Sequence, residues 1–277
     1  MDSPNHPEAE AQLLAAARRG DRSALATLLE KHQNRVFGFG MRMCGDSEEA
    51  KDVAQETMLA MVRTVRSFRG DASLSTWLYT VARSFCMKKR RRTKGAPKTH
   101  EPLDRAAQES TAEPGMTPEQ MLVGRQTREA VAAALDEMEP QAREVLVLRD
   151  IEGLSAAEVA DVIGVSVAAV KSRLHRARAA LRERLLTLVG GEPAQPVPSS
   201  CPDVLTMLSR KLEDEVTPDV CAEMEQHVEG CQHCRGICDS LKQTLALCKA
   251  LPSPQVPAEV HESLRKAVVA ALAANAG

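Results

Sequence analysis

The sequence predicts an all-α protein: two small helical domains joined by a flexible linker, with a small helical metal-binding tail behind them. Three observations predict it. Only six of the 277 residues are aromatic, Phe37, Phe39, Phe68, Trp77, Tyr79 and Phe85, whereas a β-sandwich or barrel core leans on aromatic and β-branched side chains. Ala, Leu, Val, Arg and Glu are plentiful instead. Apolar residues also recur at helical spacing over most of the chain. With 43% hydrophobic and 27% charged residues the composition is that of ordinary globular proteins, and the length suggests about two domains.

The formal charge of −2 conceals an asymmetry, because residues 1–190 hold 29 Lys and Arg against 26 Asp and Glu, while residues 191–277 hold 7 against 12. A basic working part with an acidic appendage is implied. No stretch approaches the roughly 18 apolar residues that span a bilayer, and the N-terminal MDSPNHPEAEAQ lacks a signal peptide's basic start and apolar run. A cytoplasmic location without membrane contact is expected. In such a reducing compartment, the cluster of Cys201, Cys221, Cys231, Cys234, Cys238 and Cys248 reads as metal ligands or a redox switch rather than a disulfide framework.

The first domain is expected over residues 8–92. Leu13, Leu14, Ala17, Leu25, Leu28 and Leu29 follow helical spacing on either side of Gly20, which can end one helix, while Asp21 or Ser23 caps the next. From Asp46 a capping pattern opens a helix to about Val65, with Val53, Met58, Met61, Val62 and Val65 on one stripe and Asp52, Gln55 and Glu56 on the polar side. A further helix runs from Ser73 to Arg92. It carries Leu74, Trp77, Leu78, Val81 and Ala82 and ends in Lys88, Lys89, Arg90, Arg91 and Arg92. Trp77 falls on the Leu74 and Leu78 stripe and is expected in the core; Phe37 and Phe39 are expected to pack, and Cys86 to be buried. Residues 93–118, with four prolines and no periodicity, read as a linker.

A second helical domain is expected over 119–188, and its segment from Ser155 to Arg178 carries the strongest motif. Ser155 and Glu158 form a capping box, Gly164 permits a tight turn and Ser166 caps a second helix. Ala160, Ile163, Val165, Val170 and Leu174 can then face inward, as a helix-turn-helix requires. Lys171, Ser172, Arg173, His175, Arg176 and Arg178 remain outward, suited to neutralise phosphates and read guanine edges in a major groove, with His175 expected to stand aside.

The run from Leu135 to Arg178 resembles the fourth region of sigma-70-type transcription initiation factors, specifically the extracytoplasmic-function group. Gly20, Asp21 and Phe37, then Asp46 to Glu56, Phe68 to Gly70 and Thr76 to Arg83 resemble that group's second region. The resemblance implies an RNA polymerase sigma factor, not an enzyme, that binds core RNA polymerase and promoter DNA. It implies polymerase-binding residues Asp52, Gln55 and Glu56. Contacts to the −10 element are implied for Phe68, Arg69, Tyr79, Arg83, Lys88, Lys89, Arg90 and Arg91, and contacts to the −35 element for Ser166, Lys171, Ser172, Arg173, Arg176 and Arg178. Exposed aromatic faces for unstacked bases and cations for the backbone suit promoter opening, with Tyr79 and Phe68 as the leading aromatics. This chain has Ser84 where the family often has Asn, and Lys88 where it often has Asp.

A second linker is expected over 189–200, a Cys-rich domain over 201–250 and a C-terminal helix over 251–277. His227, Cys231 and Cys234 have the H-x3-C-x2-C spacing of a metal knuckle, and Cys201 completes a Cys3His set for tetrahedral zinc. The tail resembles the zinc-binding domain of anti-sigma factors, including Leu212, Glu213, Asp214 and Glu215, and also the Cys-rich tails of metal-responsive sigma factors. Fusion to the sigma-like part implies regulation in cis; a separate anti-sigma partner stays open. Cys221 and Cys238 are further ligand candidates, which leaves copper or cadmium open as the sensed ion; Cys248 lies on an apolar stripe and can simply pack. The competing readings are a conventional helix-turn-helix regulator with a metal-sensing tail, and a sigma factor whose tail is only a structural or partner-binding zinc module.

Overall fold

In a computed structural model of the chain, every regular element among the described residues is helical. The described residues are 7–93, 117–189, 201–252, 254–258, 260–262, 265, 266 and 269. The two linkers expected from the sequence therefore lie almost wholly outside them. The chain divides into two units, one made of Met1–Gln108 with Ser253–Gly277, the other of Glu109–Pro252. The tail thus shares a unit with the helix-turn-helix, and the C-terminal segment belongs with the first domain.

In the first unit, α1 (Pro7–Arg18) and α2 (Arg22–Cys44) meet at Gly20, and the Asp21 carboxylate caps α2 by accepting from the N–H groups of Ser23 and Ala24. Asp46 likewise caps α3 (Ser47–Thr64) through the N–H of Glu49, so the capping pattern read from the sequence sets both starts. After α3, a short 3-10 turn (Val65–Ser67) leads to α4 (Leu74–Thr93). Helices α2, α3 and α4 pack around Leu28, Val36, Phe37, Phe39, Val53, Met58, Met61, Leu78, Tyr79 and Ala82, all at most 2% exposed. At Gly40 the α2 backbone comes so near α3 that an added Cβ would stand 3.2 Å from the Ala50 Cα, a tight contact that glycine avoids. The C-terminal segment joins the same core: the Val256 N–H donates to Asn34 Oδ1 at 3.0 Å, and Val256 and Val260 are buried.

In the second unit, α5 (Pro118–Asp136), α6 (Pro140–Leu146) with the π-turn Val147–Ile151, α7 (Ala156–Ile163) and α8 (Val167–Leu185) form the helix-turn-helix domain. The capping box of Ser155 and Glu158 is complete, Gly164 takes φ 72° at the turn, and Ser166 caps α8 through the N–H of Ala169. Val170, Leu174, Ala177 and Leu181 are fully buried along one side of α8. The tail adds α9 (Val204–Lys211), α10 (Pro218–Gly230) and α11 (Gln232–Lys249), whose own core is Val204, Leu208, Met224, Cys234, Cys238, Leu241 and Leu245. Both α9 and α11 pack on α8.

Candidate nucleic-acid interface and metal centre

The outward side of α8 is open only in part. Between α9 and α10 the chain turns through Asp214, which adopts φ 55°, a left-handed conformation that Asp tolerates better than most residues. That turn presents the residues on either side of it to α8. The Lys171 ammonium donates to the Glu213 carbonyl at 2.8 Å and lies 3.6 Å from Glu215 Oε1. His175, expected to stand aside from DNA, bonds to Ser209 Oγ at 2.8 Å and to Glu215 Oε2 at 2.9 Å.

Arg178 departs furthest from the −35 contact that the sequence suggests for it. Its side chain is 1% exposed and makes a two-pronged bond to Asp150, Nε to Oδ2 at 2.9 Å and Nη2 to Oδ1 at 2.7 Å. Nη2 also donates to Glu213 Oε1 at 2.6 Å, and Nη1 to the carbonyl and hydroxyl of Ser209, both at 3.2 Å. Burial works against its charge, but the Asp150 and Glu213 carboxylates outweigh that and hold the guanidinium above its usual value. The reason for the correction is helical phase. Arg178 falls next to Ala177 on the buried side, where Asp150, placed by the π-turn, supplies a charge partner. Arg149 adds a bond from Nε to Glu213 Oε2 at 3.1 Å, so both oxygens of one buried carboxylate are engaged.

Ser166, Ser172 and Arg176 are exposed and Arg173 is half-buried, and among the described residues the tail makes no polar contact with them. Further along α8, Arg182 donates to Ser240 Oγ of α11 at 2.6 Å, and its burial pushes the guanidinium down. The residues that meet these α8 side chains and that sequence reasoning did not assign are Asp150, Ser209, Glu213 and Glu215. The acidic excess of the tail was the available signal, but nothing in the order of residues said which acids would meet which cations.

In the first unit, Asp52 and Glu56 are exposed and Gln55 is half-buried on α3, a polar strip opposite the buried Val53, Ala54, Thr57 and Met58. Arg69 and Lys88 are exposed, and Arg83 is half-buried. The side chains of Lys89, Arg90 and Arg91 lie outside the described residues. The aromatic assignments change places: Tyr79 is 2% exposed, with its ring edge-on to Phe39 at 5.4 Å, whereas Trp77 is only half-buried and meets Phe68 at 6.0 Å and 74°. Two residues apart on a helix, the two rings must point about 200° apart, and the buried position beside Phe39 went to Tyr79. The Phe68–Trp77 pair stays near the surface, as does the half-buried Phe85.

In the tail, one ligand atom from each of Cys201, His227, Cys231 and Cys234 falls within 4.8 Å of all the others. The Cys201 and Cys231 sulfurs are 3.8 Å apart, about the edge of a tetrahedron with metal–sulfur bonds of ~2.3 Å, and His227 Nε2 stands 3.2 Å from the Cys234 sulfur. Burial, with Cys201 and Cys231 alongside, pushes the Cys234 thiol up to about 12, while the backbone N–H of Cys234 draws the Cys231 thiol down. The donor set is Cys3His, the kind that suits tetrahedral zinc. Neither Cys221 nor Cys238 joins the group; Cys238 is buried in the tail core, where desolvation raises its thiol. The case for copper or cadmium rests on a larger thiolate set, which the described residues do not assemble.

Comparison with known proteins finds a family match for each of three segments. Residues 28–95 match the family profile of sigma-70 region 2, residues 128–181 that of sigma-70 region 4, and residues 201–235 that of a zinc-finger family. RNA polymerase sigma-H factor of Pseudomonas aeruginosa is 31% identical over 186 residues, 66% of this chain and 96% of that protein. ECF RNA polymerase sigma factor SigM of Mycobacterium tuberculosis H37Rv is 34% identical over 185 residues, 65% of this chain and 86% of that protein. A solved structure of CnrH in complex with the cytosolic domain of CnrY is 26% identical over 62% of this chain and 94% of that one, with a TM-score of 0.44.

Proposed function

The chain belongs to the extracytoplasmic-function group of the sigma-70 family, and we propose that it is a sigma factor that its own zinc-organised tail holds in check by covering the promoter-reading helix. The observation that carries this reading is the acidic turn at Glu213 to Glu215, seated on Lys171 and His175 of α8 and anchored there by the buried Arg178. A carboxylate placed there satisfies the cations that would otherwise meet DNA phosphates, so docking of the tail and of the duplex compete for the same charges.

Sigma factors work with core RNA polymerase and promoter DNA, and family membership supports a working place beside the polymerase in the cytoplasm for this chain. The polar strip of Asp52, Gln55 and Glu56 is the proposed polymerase contact. Phe68 with Trp77, and the cations Arg69, Arg83 and Lys88, are the proposed −10 side. Ser166, Lys171, Ser172, Arg173 and Arg176 read the −35 element once the tail has moved. Cys201, His227, Cys231 and Cys234 would hold zinc and so fix α9, α10 and α11 to one another; the ion's chemistry here is structural. Because α9 carries Ser209 and leads straight into Glu213, metal loss is expected to loosen the cover.

Run-off transcription with core polymerase tests both halves. The full chain and a chain ending at residue 190 are compared on promoters selected with the shorter one. Promoter-specific initiation that rises when the tail is removed supports the reading. Initiation by neither chain removes the sigma function, and equal initiation by both removes the cover.

A further inference from the structure

Two cysteines stand apart from the metal centre and from the surfaces assigned above. Cys44 is the last residue of α2 and Cys86 lies on α4, far off in sequence, yet their sulfurs are 2.8 Å apart. Cys86 is 2% exposed and Cys44 is half-buried, so Cys44 is the more accessible residue of the pair. The pairing is set by the core and not by a mobile surface. Phe39 and Tyr79 meet edge-on at 5.4 Å earlier on the same two helices, so α2 and α4 touch at one point through the rings and, further along in the same sense, at a second through the thiols. Val36, Phe37, Met43, Leu78 and Ala82 are buried around this line and fix both backbones. The metal group of the tail assembles without either sulfur, so the pair stands outside that chemistry.

We propose that Cys44 and Cys86 are an oxidant-sensitive thiol pair that closes to a reversible disulfide within the first unit, independently of the tail. With hydrogen peroxide as oxidant, the sulfur of the more accessible Cys44, as thiolate, attacks a peroxide oxygen. The O–O bond breaks, Cys44 becomes a sulfenic acid, and the departing hydroxide is protonated to water. Cys86 sulfur then attacks Cys44 sulfur; the S–S bond forms, the S–O bond breaks, and the leaving hydroxide takes up the Cys86 proton as a second water. Two thiols lose two electrons and two protons, and one peroxide becomes two waters. A dithiol reductant reverses the step by exchange. Disulfides in a reducing compartment are characteristically of this transient, sensing kind. The bond would tie the end of α2, from which Gly45 and Asp46 lead directly into the polar strip of α3, to the helix that carries Arg83 and Lys88. It therefore restrains the elements proposed to meet polymerase and the −10 element.

The test uses the full, zinc-loaded chain treated with hydrogen peroxide, alkylated, and digested with trypsin without reductant. Cleavage after Arg42 and Lys51, and after Arg83 and Lys88, leaves each cysteine alone in its peptide, so the linked species is identified by mass as the two peptides joined with the loss of two hydrogens. The linked species is expected to become the main form of both peptides and to vanish with dithiothreitol. It should be absent from Cys44→Ser, and the thermal midpoint of the oxidised wild type should exceed that of the reduced protein by several degrees, a difference that Cys44→Ser abolishes. Because Cys44 is half-buried at a helix end, Cys44→Ser serves even where Cys86→Ser misfolds. Recovery of both peptides as separate alkylated species, as sulfinic acids, or joined to tail cysteines would overturn the proposal.

Discussion

Replacing Glu213 by Gln gives the sharpest test of the covered helix, because a structural role and an inhibitory role move the readout in opposite directions. The Glu213 side chain is 2% exposed and its two oxygens accept from Arg178 at 2.6 Å and Arg149 at 3.1 Å. Glutamine keeps the volume but removes the charge, and hydrogen bonds to charged groups contribute about 1.5–3 kcal/mol each. Arg178 keeps its two-pronged bond to Asp150, so it is not left as an unpaired buried charge and the lower end of the range applies. The docked state should lose about 3 kcal/mol, which at 1.4 kcal/mol per tenfold shifts the docking equilibrium about 100-fold toward the open form. Fluorescence anisotropy on a promoter duplex at fixed salt should then show tighter binding for Glu213→Gln than for wild type, by up to that factor where the docked form dominates. The variant's affinity should also fall more steeply with salt, since Lys171 becomes available to phosphate. A folded Glu213→Gln that binds DNA no better than wild type, while the tail-deleted chain binds more tightly, would refute the assignment of this turn as the cover.

Three further outcomes are expected. Cys231→Ser or Cys234→Ser should lose stoichiometric zinc by metal analysis, and α9 to α11 should exchange amide hydrogens much faster than in the loaded protein while α2 to α4 remain protected. Tyr79→Ala should destabilise the first unit by about 3–5 kcal/mol in urea unfolding, as loss of a buried ring does, whereas Phe68→Ala should leave stability within about 1 kcal/mol and slow open-complex formation, read by 2-aminopurine fluorescence. His32 is 2% exposed, and burial holds its imidazole at about 4 against the ordinary 6.5. The unfolded chain takes up that proton first, so the first unit should keep this contribution above pH 6.5 and lose up to about 3 kcal/mol as pH falls toward 4. His32→Gln should flatten that part of a urea-midpoint profile against pH.

What could be read from the sequence was what short spans decide. Capping chemistry is a matter of three or four neighbouring residues, which is why Asp21, Asp46, Ser155 and Ser166 mark helix starts correctly. The helix-turn-helix is a local motif for the same reason: Gly164 at φ 72° and the buried Val170 and Leu174 follow from spacing alone. The metal set was legible because His227, Cys231 and Cys234 sit one helical turn apart around a single break, and only Cys201 had to come from a distance.

The places where the sequence reading needed correction are those where two faces were equally plausible until something packed against them. On periodicity, Trp77 and Tyr79 could each claim the core, and the choice fell to Tyr79 because Phe39 on another helix offers it an edge. Arg178 sits in a basic run and by composition belongs with the DNA contacts; Asp150 and Glu213 take it into the interior instead. The sequence by itself determined the helices, the recognition motif, three of the four ligands and therefore the family, because each is written in a short span of residues. Only the tertiary structure decided that the acidic turn of the tail lies on the basic face of α8 and that Cys44 meets Cys86. Both depend on residues brought together from far apart in the chain, and charge or thiol content alone carries no information about which distant partner the fold will supply.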